Sequence, residues 1–259
     1  MIQAEHLSFS YGDLTVLDDL SFCVDDFKTL ALLGQNGEGK TTLLKLLLGL
    51  LKPQSGSIQI DGRDPSRLTE RELSRFLSYV PQECDDSLNM SVSDFICMGR
   101  ISEQGFLRGP NEHDRKEAAS ILKQLSLEEL SARSLKELSS GQRRLIYLIR
   151  AVYQKSSYIL MDEPVNSLDL KRQHDFLYWL KGITEVKERK IIMSIHDPAL
   201  AYTYADAFLF MKSHQAVSVL SKKDPDFNKE FLRRVEELYE HSVKAEFHND
   251  QLLLYYRKP

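Results

Sequence analysis

Residues 34–41 read Gly34-Gln35-Asn36-Gly37-Glu38-Gly39-Lys40-Thr41 and fit the spacing G-x-x-x-x-G-K-[ST]. The chemistry this pattern serves is phosphate binding. Glycines let the backbone curl until successive N–H groups point inward at anionic oxygens. A helix beginning at the end of the loop adds the positive end of its dipole. Lys40 then places an ammonium on the β- and γ-phosphates, and Thr41 offers a hydroxyl to Mg²⁺, with Thr42 completing the stretch. Glu38 is unusual, because an acid in such a loop opposes the phosphate charge, so its side chain is expected to point to solvent.

A second group is acidic. The apolar run Tyr158-Ile159-Leu160-Met161 leads into Asp162-Glu163-Pro164. A strand ending in two acids sets carboxylates at the carboxyl edge of a parallel sheet, where open α/β folds bind ligands. Asp162 can reach Mg²⁺ directly or through water. Glu163 can orient or deprotonate an attacking water. His196 follows the apolar run Ile191 to Ile195 and falls at the same kind of edge, able to bond a γ-phosphate or hold Glu163 and the water in line.

The elements that must position these groups alternate. Residues 2–10 and 14–27 predict an antiparallel pair turned by Tyr11-Gly12-Asp13. Thr29 to Leu33 predicts a buried strand stopping at the glycine loop, and 40–51 a leucine-rich helix. Further strands are expected at Ser57 to Ile60, closed by Asp61-Gly62, and at Phe76 to Val80, Ser157 to Met161, Lys190 to Ile195 and Ala207 to Met211. A long helix is expected from Leu170 to Val186, with Trp179 in the core. Between residues 85 and 155 the pattern turns helical, with segments at Ser91 to Met98, Asn111 to Leu125 and Ser140 to Gln154. Arg143-Arg144 reads there as a solvated helix face. The tail predicts a helix to Glu240 and a hairpin, Val243 to Phe247 and Leu252 to Tyr256, turned by Asn249-Asp250.

The whole is an α/β fold with a mixed, largely parallel sheet flanked by helices, an N-terminal antiparallel β subdomain and an inserted helical subdomain. Its expected division is a core of residues 1–84 and 156–225, a helical part at 85–155, and a C-terminal helix and hairpin at 226–259. Composition agrees. In 259 residues, 42% are hydrophobic and 28% charged, enough apolar material for a sizeable core. A net charge of −4 argues against nucleic acid as a partner. No apolar run approaches the roughly 18–20 residues of a membrane span, and the start MIQAEHLSFS lacks the base and apolar core of a signal peptide. Cys23, Cys84 and Cys97 form no CxxC pair. The expectation is a soluble, intracellular chain.

Leu138-Ser139-Ser140-Gly141-Gln142 precedes the acid pair and resembles the signature motif of the ABC ATPase family, in which Leu-Ser-Gly-Gly-Gln is usual. Other motifs of that family follow in order: Tyr11 is similar to the aromatic that stacks on adenine, Gln82 in Val80-Pro81-Gln82 to the Q-loop glutamine, Asn166-Ser167-Leu168-Asp169 to the D-loop, and His196 to the switch histidine. The resemblance spans nearly the whole chain and implies a P-loop NTPase core that hydrolyses ATP. It implies Mg²⁺ near Thr41, Gln82 and Asp162, and Glu163, His196, Gln82 and Lys40 as the catalytic set. It also implies that Ser139, Gly141 and Gln142 close over the γ-phosphate held by a second copy, in a head-to-tail dimer sandwiching two nucleotides. The bland alternative at that position is an N-capped helix start with Ser139 as cap.

Within the family, Met90 to Arg100, the Glu112 to Glu117 helix and the C-terminal Phe231-Leu232-Arg233-Arg234-Val235 with its hairpin resemble the ATPases of ferric-siderophore, haem and cobalamin importers. The resemblance implies separate permease subunits, an extracytoplasmic substrate-binding protein acting indirectly, and a place on the cytoplasmic face of the membrane. Two departures stand out: the Pro-His usual after Gly-Arg is absent at Ile101-Ser102-Glu103-Gln104, and so is the Asp-Gly turn expected near Lys212-Ser213-His214. Alternatives are a soluble ABC ATPase acting as an assembly factor, as in iron–sulfur biogenesis, and a subunit that has lost hydrolysis, against which Glu163 and His196 argue.

Overall fold

The computed structural model describes residues 1–85, 87–104, 109–187, 189–240, 242–249 and 251–256. It divides into two compact units, one of Met1–Arg67 with Lys190–Pro259, the other of Leu68–Arg189.

In the first unit, β1 (Ile2–Tyr11) pairs antiparallel with β2 (Leu14–Val24) and, on its other side, with β4 (Ser55–Ile60). Ile2 and Ala4 turn inward with the period of a half-buried strand, and after a register shift at His6, where φ is 49°, Leu7 and Phe9 do the same. Tyr11 closes β1 as a strand residue opposite Leu14, so the turn is Gly12-Asp13 alone, and β2 stops at Val24, short of the expected residue 27. Beside this sheet, β3 (Thr29–Leu33) is buried throughout and lies parallel to β7 (Lys190–Ser194) and β8 (Ala207–Lys212). A strand buried on both faces reads as a continuous apolar run, which Thr29-Leu30-Ala31-Leu32-Leu33 is.

Helix α1 (Lys40–Leu47) is shorter than the expected 40–51. The chain turns at Gly49 with φ 68°, and the N–H groups of Leu50 and Leu51 fold back onto the Lys45 carbonyl, which satisfies the open helix end. Of this unit's α-helices and strands, two went unread in the sequence. One is α8 (Pro198–Tyr204), capped by Asp197 with proline in its first turn. The other is β9 (Gln215–Ser221), antiparallel to β8. The β8–β9 turn has no Asp-Gly. Ser213 and His214 take its left-handed geometry themselves, at φ 53° and 65°. Helix α9 (Phe227–Leu238) and the hairpin of β10 (Val243–His248) and β11 (Gln251–Tyr256) end the unit as expected, with Asp250 of its turn outside the described residues. Phe227 and Phe231 of α9 pack on Phe208 with ring centroids 5.3 and 4.9 Å apart.

The second unit holds β5 (Leu77–Val80) parallel to β6 (Tyr158–Met161). Phe76, expected in β5, ends helix α2 (Glu70–Phe76), which opens on a Thr69/Glu72 capping box. The helical stretch is α3 (Val92–Cys97), α4 (Ile101–Gln104), α5 (Glu112–Gln124) and α6 (Ser140–Tyr153), followed after β6 by α7 (Leu170–Lys187). Ser91, Asn111 and Ser139 cap three of these helices through their side chains, which explains why the starts were legible. Trp179 is half-buried rather than core; its indole N–H donates to Gln124 Oε1 at 3.1 Å in a surface groove beside exposed Tyr178.

Candidate functional site

In the first unit the glycine loop links β3 to α1. Gly39 sits at φ 87°, and a Cβ there would lie 2.8 Å from the Val16 carbonyl; one on Gly34 would lie 2.7 Å from that of Met211. Only glycine lets the loop curl this tightly against β2 and β8. Lys40 is buried, and its ammonium donates to the Gly34 and Gln35 carbonyls at 2.7 and 2.8 Å, so the cation sits within the curl. Thr41 is half-buried and Thr42 buried, while Asn36 and Gly37 face outward. Gln35 turns its amide onto the Leu238 carbonyl at the end of α9, and the Tyr239 hydroxyl donates to the His196 carbonyl at 3.2 Å. The C-terminal helix thus braces both the loop and the segment after β7, a connection no motif announced.

Glu38 does not point freely to solvent. Its carboxylate accepts the His214 N–H at 3.1 Å. His214 is held further by its Nδ1 against the Val16 carbonyl at 3.2 Å and by its own carbonyl, which accepts the Asp18 N–H at 3.0 Å. The acid is drawn out of the loop by a peptide donor in the β8–β9 turn. Tyr11 is 46% exposed at the end of β1, its ring edge-on to Phe9 at 4.9 Å, which leaves a face available for stacking.

The second unit holds the carboxylates. Asp162 is buried at the end of β6 and Glu163 follows at φ 48°, a left-handed conformation costly for a residue with a Cβ. Gln82 Nε2 donates to Glu163 Oε2 at 2.9 Å, and Asn166 of the D-loop segment donates to the same oxygen at 2.5 Å. Two amides therefore fix the carboxylate's direction. Burial, with the Asp162 charge added, pushes the neighbouring Tyr79 hydroxyl up to about 12, so it stays protonated.

Ser139 and Gln142 form a reciprocal capping box at the start of α6: Ser139 Oγ accepts the Gln142 N–H at 3.3 Å, and Gln142 Oε1 accepts the Ser139 N–H at 3.1 Å. Both residues remain near the surface, with Gly141 half-buried between them. The box satisfies the first donors of this helix start, which presents its remaining N–H groups outward. Arg143 and Arg144 are not a solvated face. Arg143 donates to the Leu138 carbonyl at 3.1 Å, and Arg144 is buried, its guanidinium ringed by main-chain carbonyls. The signal for this was in the spacing: Arg144 stands four residues before buried Leu148, on the inward stripe of α6.

Thr41 hydroxyl, Asp162 carboxylate and Gln82 amide are hard oxygen donors of the kind Mg²⁺ takes. Among the described residues no three His, Cys, Asp or Glu side chains gather into a metal cage. The same chain thus carries a curled glycine–lysine loop, a strand-end acid pair and a capped helix start with outward N–H groups, the parts of a nucleotide-hydrolysing cassette.

The ABC transporter family pattern matches residues 17–166. A Helicobacter pylori protein called "Probable iron chelatin transport ATP-binding protein" is 33% identical, over 98% of this chain and 99% of its own. The Bacillus subtilis "Probable siderophore transport system ATP-binding protein YusV" is 32% identical, over 82% and 77%. Among solved structures, a metal-chelate type ABC transporter in an inward-facing conformation is similar with TM-score 0.78 and 27% identity, over 99% of this chain and 96% of that one. The chain belongs to the ABC transporter family, as an ATP-binding cassette that hydrolyses ATP. No helix among the described residues is long and apolar enough to cross a membrane.

Proposed function

We propose that this chain is the ATP-binding subunit of an importer for an iron–siderophore or related metal chelate, a class that includes haem and cobalamin. The observation that carries the reading is end-to-end similarity to an iron-chelatin transport ATP-binding protein, 33% identical over 99% of that relative. In this reading two copies meet head to tail on separate permease subunits at the cytoplasmic face, and a substrate-binding protein delivers cargo from the other side.

Each residue has a task that its geometry supports. Residues 34–42 hold the triphosphate by main-chain N–H groups and Lys40, whose ammonium exchanges the Gly34 and Gln35 carbonyls for phosphate oxygens. Tyr11 stacks on adenine. The partner's Ser139 and Gly141 helix start closes over the γ-phosphate. Thr41, Asp162 and Gln82 hold Mg²⁺, which supplies neutralisation of the phosphate charge. Glu163 takes the proton of the attacking water as the water oxygen bonds to the γ-phosphorus and the bond to the bridging oxygen breaks, releasing ADP and phosphate. His196 orients the γ-phosphate. Residues 85–155 form the helical part that grips the permease, and Gln82 links that grip to the nucleotide.

The test is uptake of radiolabelled ferric siderophore by iron-starved cells of the source organism. Deletion should abolish uptake, and the parent gene but not Glu163→Gln should restore it. Undiminished uptake of siderophore, haem and cobalamin after deletion would overturn the cargo assignment.

A further inference from the structure

Buried Arg144 stands between two loops of the second unit. Its Nε donates to the Pro164 carbonyl at 3.1 Å. One terminal nitrogen donates to the Pro81 carbonyl and to that of Gln82 at 3.2 Å. The other donates to the carbonyls of Asp162 at 2.5 Å and Glu163 at 3.0 Å. One guanidinium therefore joins main-chain oxygens on either side of the Gln82–Glu163 hydrogen bond. Those after β6 flank or belong to Glu163, the residue in the left-handed conformation at φ 48°. Such a backbone persists only where its surroundings over-determine it. The planar fork of an arginine can hold this many fixed acceptors, whereas a lysine ammonium has three donors from one point.

We propose that Arg144 is a positioning residue for hydrolysis: by holding the Gln82 and Glu163 main chains together, it sets the direction of the Glu163 carboxylate. Arg144 lies in the first turns of α6, the helix capped by Ser139. Engagement of that start by a partner's nucleotide is thereby connected to the Glu163 of the same copy, so that each site senses the other. The inference rests on the role of Glu163 proposed above.

The test is steady-state ATP hydrolysis by the full chain for Arg144→Lys and Arg144→Gln, each alone and combined with Glu163→Gln, beside titration with a fluorescent ATP analogue. Displacing a reacting group by about an ångström costs on the order of 10²-fold in rate. Arg144→Lys is expected to lower kcat at least about ten-fold while KM and analogue affinity stay within about two-fold, and Arg144→Gln to do the same. Added to Glu163→Gln, either change should cost no more than about two-fold further, because the residue it positions is already gone. A kcat near that of the parent, a fall matched by lost nucleotide affinity or lost folded protein, or full additivity with Glu163→Gln would each overturn the proposal. Failure of the Glu163 role is read separately, as undiminished hydrolysis by Glu163→Gln alone.

Discussion

The Gln82 amide donates to Glu163 Oε2 at 2.9 Å, joining the segment after β5 to the segment after β6 through the carboxylate expected to act on water. Asn166 donates to the same oxygen, so two amides converge on Oε2 and hold the carboxylate from one side. Replacement of Glu163 by Gln keeps the shape and removes the base. ATP affinity should hold within about two-fold, while turnover drops at least about 10²-fold. Rapid-quench measurement of product per site decides it, and turnover within a few-fold of the parent would remove Glu163 from the base role.

Glu38 holds a carboxylate beside the phosphate loop, drawn aside by the His214 N–H. A glutamine keeps an acceptor for that donor but not the charge. Glu38→Gln should therefore bind ATP about five-fold more tightly at low salt, with the gain shrinking as ionic strength rises. Calorimetric titration at two salt concentrations checks this, and an unchanged affinity at low salt would show that the charge does not act on the phosphates.

Ser213 adopts φ 53° in the two-residue β8–β9 turn. Asparagine tolerates that conformation better, and the Glu38–His214 bond runs to the main-chain N–H of His214, which the exchange keeps. Ser213→Asn is expected to add about 0.5 kcal/mol, or on the order of 1–2 °C in Tm. A lower Tm would mean that the turn does not carry the strain.

On α9, hydrogen bonds from Arg233 and then Arg234, with their charges, pull the Glu230 carboxyl down to about 2. The folded value lies below the ordinary 4.5, so the stabilisation is complete above about pH 4.5 and is lost as pH falls toward 2. The cluster lies at the surface and is screened by salt. The Tm deficit of Glu230→Gln should be present at pH 7, shrink through this window, and be reduced in high salt. A deficit equal at pH 7 and pH 2 would assign the loss to packing instead.

The loop, the acids and the helix starts were legible because each rests on local chemistry: glycine at Gly39, side-chain caps at Ser91, Asn111 and Ser139, and an unbroken apolar run in β3. What stayed hidden depends on distant partners. β9 was unread because Ser213-His214 is no turn dipeptide, and the residues around it impose the left-handed geometry. Arg144 looked like a surface charge because its partners are carbonyls, and any residue type supplies those. Glu38 was expected in solvent because nothing in residues 34–41 points to an N–H at position 214.

The central claim is that phosphates held by residues 34–41 of one copy are closed by Ser139 and Gly141 of another. Its most direct measure is the solution mass of Glu163→Gln, by light scattering or sedimentation, with and without ATP and Mg²⁺. The account predicts a shift from one copy to two on adding ATP, abolished by Ser139→Arg in the same chain, which still binds nucleotide. A mass that stays at one copy with saturating ATP bound, or a dimer unaffected by Ser139→Arg, would contradict it.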